Sequence, residues 1–128
     1  MTLKRVVVTG LGAITPIGNN ISDYWNALIN GVSGAAPITY YDTEKHKPKF
    51  SCEVKNFNIE DYMDRKESRR LDKFSHYAIA SSDEAIKDAG ITNDNVNKNR
   101  VGVIWGAGIG GLETFQEEVL YYAKGDGT

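Results

Sequence analysis

The chain has 128 residues, 41% of them hydrophobic, which is enough for the apolar core of one ordinary domain. Its formal net charge of −2 argues against non-specific attraction to nucleic acid or to a membrane surface. No apolar run approaches the ~20 residues that a membrane-spanning helix needs, and the start of the chain lacks a signal-peptide pattern. With a single cysteine, Cys52, an internal disulfide is impossible, so we expect a cytoplasmic protein. From the charge and the lack of a long apolar run we expect no nucleic-acid or membrane partner.

The first predicted elements are a strand, a loop and a helix. Residues 5–9 form an apolar run that indicates a strand, and a glycine-containing loop follows over residues 10–18. Pro16 prevents a direct passage from this strand into a helix. Ser22 is a suitable N-cap for a helix over about residues 23–30, which Gly31 ends.

Residues 32–49 are predicted to be irregular, and a half-buried strand is predicted next. Phe50, Cys52 and Val54 alternate with polar residues, which is typical of a strand with one face inward. Cys52 is therefore predicted to be a small buried hydrophobe. Nothing electropositive and no histidine adjoins it to activate the thiol.

Two helical segments follow. Asn58 is predicted to cap a short turn through Met63, and Asp64 with Glu67 resembles a capping box for the next helix. From Leu71 a helical stripe of apolar and small residues runs to Gly90. Its second half is almost all small residues, so neighbours can approach closely and we expect this helix inside the fold.

The last predicted elements are a buried strand over residues 101–105, a glycine-rich turn over residues 106–111 and a helix over about residues 112–123. The overall order predicts an α/β fold. Two strands that are buried on both faces need more sheet beside them than this chain supplies. We therefore expect residues 1–128 to be the N-terminal part of a longer α/β protein.

The glycine-rich turn also fits the dinucleotide pattern G-x-G-x-x-G between a strand and a helix. A ribose-binding acid is expected about 20 residues later, where only Asp126 is present, and it follows a helix instead of a strand. Histidine and cysteine are too few and too scattered for a metal-ligand cluster. The residues alone thus leave nucleotide binding as a weak alternative and predict no metal site.

A basic group lies at the start of the long helix, interleaved with three acidic residues that leave a local excess of +2. Its members are Arg65, Lys66, Arg69, Arg70 and Lys73. One interpretation is a solvated helix face, and the other is a docking surface for an acidic partner. No nucleophilic triad is found, because Ser75 and His76 are neighbours on a helix and point to different sides.

Three motifs then carry a family resemblance, in register over essentially the whole chain. They are VVVTGLGAITPIGN, DRKESRRLDKFSHYAI and RVGVIWGAGIGGLETF. Together they resemble the N-terminal segment of the elongating β-ketoacyl-acyl-carrier-protein synthases, most like synthase II. The resemblance implies part of a thiolase-type layered α/β/α fold, incomplete in this chain, and a homodimer when full length. It also implies an acyltransferase of fatty acid biosynthesis that uses acyl and malonyl thioesters and an acyl carrier protein, with no cofactor.

The resemblance places functional residues only where the motifs match. Lys66, Arg69 and Arg70 fall where the family docks its carrier protein, and Ile109 falls where a side chain lines the acyl pocket. The family's cysteine motif, like T-A-C-x-S, and its later histidines and lysine do not occur in these residues, and Cys52 lies in a different context. No catalytic residue is therefore expected here, and residues 1–128 alone are expected to be inactive. A non-catalytic chain-length partner of a ketosynthase would share every motif and remains an alternative.

Overall fold

A computed structural model describes residues 3–125 of the protein. The four α-helices are α1 (Ile21–Ile29), α2 (Arg65–Ser68), α3 (Lys73–Asp88) and α4 (Leu112–Ala123). Two short antiparallel strands are β1 (Ala36–Pro37) and β2 (Phe50–Ser51), in which Ala36 pairs with Ser51 and Pro37 with Phe50. Single 3-10 turns lie at Ile59–Asp61 and Lys98–Arg100. Within residues 3–125, none of the helices has the length and apolar character needed to cross a membrane.

Helix α3 is the element on which the N-terminal loop packs. Ala80 and Ser81 in its middle are 1% and 4% exposed. A β-carbon added to Gly12 would lie 1.9 Å from the carbonyl oxygen of Ser81, and one added to Gly10 would lie 2.2 Å from that of Ala85. The prediction that small residues let a neighbour approach this helix closely is confirmed, and the neighbour is the glycine loop.

Two carboxylates on the same helix bind the backbone of this loop. Asp88 accepts a hydrogen bond from the amide of Leu11 at 2.9 Å. Glu84 accepts one from the amide of Ala13 at 3.0 Å and one from the amide of Ile21 at 2.8 Å. Since Ile21 is the first residue of α1, Glu84 satisfies a free amide at that helix end and joins three segments of the chain.

The helix ends agree with the predictions in part. Gly31 and Gly90 follow α1 and α3 with φ of +64° and +63°, which is the left-handed conformation that glycine adopts most easily. The N-cap of α1 is Asn20 instead of Ser22, because the side-chain oxygen of Asn20 accepts a hydrogen bond from the amide of Asp23. Asp64 precedes α2 but forms no capping hydrogen bond through its side chain, so the predicted capping box is absent at this position.

The two predicted buried strands are wrong for the described part of the chain. Residues 5–9 and 101–105 are not paired in a sheet, and Val6 and Ile104 are 90% and 98% exposed. A strand requires hydrogen bonds from a neighbouring strand, and within residues 3–125 neither segment has one. The apolar sequence is thus suited to a sheet interior that these residues do not form by themselves.

The prediction that Cys52 is buried is also wrong. Strand β2 ends at Ser51, and Cys52 is exposed on the wall of an open groove of about 370 Å³ that Tyr77 also lines. Phe50, predicted on the same inward face, is 69% exposed. The alternating pattern is typical of a strand with one buried face, but β2 pairs over two residues only, and within residues 3–125 Phe50 and Cys52 stay exposed.

The close contact of the glycine loop with α3 predicts a large stability loss for Gly12→Ala. The new methyl group would meet the backbone of Ser81, which cannot move aside as a side chain can, so we expect a cost of at least ~1 to 3 kcal/mol in the free energy of unfolding. Gly102→Ala is the matched control, since a β-carbon at Gly102 has no atom within 4 Å. Urea denaturation measures both, and equal midpoints for the two variants would contradict the packing.

Candidate functional site

The predicted docking residues lie on an exposed surface at α2 and the turn that follows it. We call Lys66, Arg69 and Arg70 the basic surface; all three are exposed. In the part of the chain that the structure describes, none of them forms a salt bridge. Their charges are therefore available to an acidic partner, although exposure alone also fits a solvated helix face.

The two flanking cations of the basic group are occupied. Arg65 pairs with Glu60 at 3.5 Å. Lys73 pairs with Glu113 at 2.9 Å, and its ammonium lies 4.5 Å from the centre of the Tyr40 ring. The hydrogen bond to Glu113 is the main cause that raises the pKa of Lys73. As far as residues 3–125 are concerned, the structure thus divides one basic run of sequence into two paired cations and a central set without salt bridges.

Helix α2 is fixed to α3 through a buried serine. Ser68 is 6% exposed, and its hydroxyl donates to the carbonyl of Arg65 at 3.0 Å. His76 Nε2 lies 2.9 Å from the carbonyl oxygen of Ser68 and must donate to it, because a carbonyl can only accept. The imidazole therefore helps to hold the basic surface in place.

One tyrosine beside this region is shifted in its ionisation. Burial raises the pKa of Tyr77 to about 12, and the interaction with the neighbouring Tyr40 adds to the rise. Tyr77 therefore stays a neutral phenol over the physiological range. It also packs edge to face against Phe57, with ring centres 5.3 Å apart, which makes it a packing residue under the loop that carries Tyr40.

The glycine-rich turn presents Ile109 at the surface, where its side chain is 78% exposed. The turn is open at one end and packed at the other. A β-carbon at Gly106 or Gly108 would have no atom within 4 Å, whereas one at Gly110 would lie 2.6 Å from the ring of Phe74. Ile109 thus projects from a backbone that is held against α3 on its C-terminal side only.

The start of α4 is occupied by acidic groups, which disfavours a nucleotide there. Gly111 has φ of +69°, and a β-carbon on it would lie 2.9 Å from Oδ2 of Asp72. The hydroxyl of Thr114 donates to Oδ1 of Asp72 at 2.5 Å, and Glu113 lies in the first turn. These carboxylates take the favourable position at the positive helix end, so a pyrophosphate would meet negative charge. The proposed ribose partner, Asp126, lies outside the described residues.

Sequence reasoning missed three acidic residues that organise this region, Asp72, Glu84 and Asp88. The carboxylate of Asp72 joins the starts of α3 and α4 across 42 residues of sequence, and no local pattern signals such a contact. Glu84 and Asp88 did carry a signal, since they lie three and seven residues after Ser81 and so share its helix face. Over residues 3–125, no group of three or more histidine, cysteine or acidic side chains is placed to hold a metal ion.

Comparison with protein families and curated relatives gives consistent matches. The model of the β-ketoacyl synthase N-terminal domain matches residues 3–127. The 3-oxoacyl-[acyl-carrier-protein] synthase 2 of Synechocystis sp. is 47% identical over 115 residues, which are 90% of this chain and 28% of that protein. The synthase 2 of Staphylococcus aureus is 49% identical over 113 residues, 88% of this chain and 27% of that protein. The chain thus spans less than a third of the curated relatives that it matches.

Solved structures resemble the same region. A β-ketoacyl synthase from Burkholderia phymatum superposes with a TM-score of 0.76 at 26% identity, covering 98% of this chain and 31% of that one. A ketosynthase bound to a hexaketide, in complex with the acyl-carrier protein of its type II polyketide system, superposes with a TM-score of 0.74 at 28% identity, over 97% and 32%. The ishigamide ketosynthase/chain length factor matches at 36% identity and a TM-score of 0.64, over 70% and 22%.

Proposed function

Since the chain belongs to the β-ketoacyl synthase family and has part of its thiolase-type α/β fold, we propose that the protein carrying it elongates acyl chains in fatty acid biosynthesis. The reaction is a decarboxylative Claisen condensation of an acyl thioester with a malonyl thioester on an acyl carrier protein. The observation that carries the proposal is the 47% identity, over 90% of the chain, to a 3-oxoacyl-[acyl-carrier-protein] synthase 2. The whole protein is a cytoplasmic homodimer without a cofactor.

The reaction has two stages. An acyl group passes from its carrier to a cysteine thiolate, then malonyl-carrier protein loses carbon dioxide and the resulting carbanion attacks the enzyme thioester. This expels the thiolate and forms the 3-oxoacyl product. Residues 1–128 hold one cysteine, and Cys52 is exposed in a context unlike the family's cysteine motif. The contribution of this segment is therefore to bind and to position, while the nucleophile comes from elsewhere in the protein.

The basic surface is the docking site for the carrier protein. Three cations that form no salt bridge within residues 3–125 lie on one exposed segment, which is fixed to α3 through Ser68 and His76, so the charges keep a defined arrangement. Such a surface raises the rate of encounter with an acidic partner and selects its orientation. The solved complex of a type II polyketide ketosynthase with its acyl-carrier protein supports a protein partner of this kind.

Ile109 is the acyl-pocket residue of this segment. Its apolar side chain is exposed on a turn whose glycines bring the backbone close to Phe74. An exposed apolar side chain on a turn that is packed at one end is suited to line a cavity that further protein completes. The alternative is simple core packing, which predicts that a substitution at Ile109 affects short and long acyl chains equally.

A second candidate function is a non-catalytic chain-length partner of a ketosynthase. Its basis is the 36% identity to the ishigamide ketosynthase/chain length factor, a name that covers both a ketosynthase and a chain length factor. All motifs in residues 1–128 are compatible with both functions. The residue at the nucleophile position of the whole protein distinguishes them, because a chain-length partner lacks the cysteine there.

The proposed reaction predicts that the intact protein converts acyl- and malonyl-carrier protein to 3-oxoacyl-carrier protein with release of carbon dioxide. Residues 1–128 alone should release none, because covalent catalysis needs an activated nucleophile. Mass spectrometry of the carrier protein measures both reactions. A lack of turnover by the intact protein would refute the synthase function, and decarboxylation by residues 1–128 would refute our assignment of the catalytic residues.

Charge reversal on the basic surface, Lys66→Glu with Arg69→Glu and Arg70→Glu, should weaken the use of carrier-bound substrate by the intact protein. The loss should shrink as salt rises, since exposed charges are screened over about 8 Å at physiological ionic strength. Steady-state kinetics at several salt concentrations measure the effect. Arg65→Glu, whose cation is already paired with Glu60, is the matched control and should do less.

A free acyl thioester that bypasses the carrier should be used normally by the triple variant, which separates lost docking from misfolding. A salt-independent loss, or equal losses for the triple variant and Arg65→Glu, would contradict a docking role.

Ile109→Phe should block long acyl chains and spare short ones. Added volume in a packed pocket causes strain of ~1 to 3 kcal/mol, and a long chain fills the space that the ring takes. Acylation rates for a series of acyl-carrier proteins, measured together with thermal melting, test this. If Ile109 only packs the core, the variant will instead be slowed equally on all chains in proportion to its lost stability.

A further inference from the structure

We infer that Asp72 and Thr114 are positioning residues that tie the turn carrying Ile109 to the segment carrying the basic surface. The inference rests on the proposed function and extends it. It concerns how the docking site and the acyl pocket of the same reaction are held relative to each other. The observation behind it is the contact between the starts of α3 and α4.

The contact between the two helix starts consists of several adjacent interactions. The hydroxyl of Thr114 donates to Oδ1 of Asp72 at 2.5 Å. The carboxylate of Asp72 also lies against Gly111, where a β-carbon would be 2.9 Å from Oδ2. One residue further on, Lys73 pairs with Glu113 at 2.9 Å. Two consecutive residues of one segment thus hold the first residues of α4.

Phe74 adds a third contact in the same run. A β-carbon on Gly110 would lie 2.6 Å from its ring, so the ring lies directly against the backbone next to Ile109. Gly106 and Gly108 lie on the other side of Ile109, and among residues 3–125 no atom lies within 4 Å of a β-carbon built on either of them. The position of Ile109 is therefore determined by its C-terminal anchor, which residues 72–74 provide.

The same three residues continue directly from the basic surface. Arg69 and Arg70 precede Leu71 and Asp72 in sequence, and the hydrogen bond from His76 to Ser68 fixes α2 to α3. A partner bound to these arginines therefore contacts the same segment, α2 with the start of α3, that holds the turn carrying Ile109. Charge supports the link too, because the carboxylate of Asp72 is favourable at the positive end of α4.

The Thr114 hydroxyl is the member of this link that can be removed most cleanly. Thr114→Val deletes the donor and keeps the branched shape, and Thr114→Ser is the matched control that keeps the donor. In the intact protein we expect faster amide hydrogen exchange at residues 109–111 in Thr114→Val than in Thr114→Ser. Added acyl carrier protein should slow this exchange in wild type and Thr114→Ser, but not in Thr114→Val.

The second measurement is selectivity. The ratio of the acylation rates for short and long acyl chains on the carrier protein should be about fivefold closer to one in Thr114→Val than in wild type. A change of this size is expected when a hydrogen bond that holds the turn is lost. In an Ile109→Ala background the same substitution should leave the ratio unchanged, because it acts through Ile109. Thermal melting accompanies each variant to separate these effects from lost stability.

The outcomes distinguish this link from the proposed function. Unchanged exchange at residues 109–111 in Thr114→Val overturns the link without reference to any substrate. An equal slowing on all chains, tracking the melting temperature, overturns the positioning role and leaves a structural one. If wild type does not turn over acyl-carrier substrates, the proposed function fails, while the exchange data still decide whether Thr114 holds the turn.

Discussion

The contact between α3 and the glycine loop is the constraint on which the rest of this structure depends. Gly12 brings a backbone so close to the carbonyl of Ser81 that no other residue fits, and Glu84 and Asp88 hold that backbone through its amides. Hydrogen bonds to a charged acceptor contribute roughly 1.5–3 kcal/mol each, more than neutral ones. Because Glu84 also accepts the amide of Ile21, the direction of α1 follows from the same contact.

The two ends of α3 have different roles. Its middle and C-terminal part, at Ser81, Glu84 and Asp88, organise the N-terminal loop. Its N-cap, Asp72, and its first residue, Lys73, contact the start of α4. One rigid helix of 16 residues therefore connects the loop, the basic surface and the turn of Ile109. Features far apart in sequence keep fixed positions because each is attached to this helix.

Pairing of charges, and not their number, distinguishes the candidate docking residues from their neighbours. Five cations lie within nine positions, but Lys73 is held by Glu113 and Tyr40, and Arg65 by Glu60. Surface ion pairs of this kind contribute little to stability, about 0 to 1 kcal/mol. Their effect here is to pair two of the five cations, so that within residues 3–125 Lys66, Arg69 and Arg70 are the exposed cations of this group that form no salt bridge.

The sequence by itself determined the features that depend on local chemistry. It predicted the glycines that end α1 and α3, the small-residue face of α3 and the family motifs. Such signals are local in the chain. The tertiary structure decided what depends on distant partners. Residues 5–9 and 101–105 have strand composition, yet a strand forms only where another segment supplies hydrogen bonds. The exposure of Cys52 and the contact of Asp72 with Thr114 likewise depend on which segments meet in space, which periodicity alone does not encode.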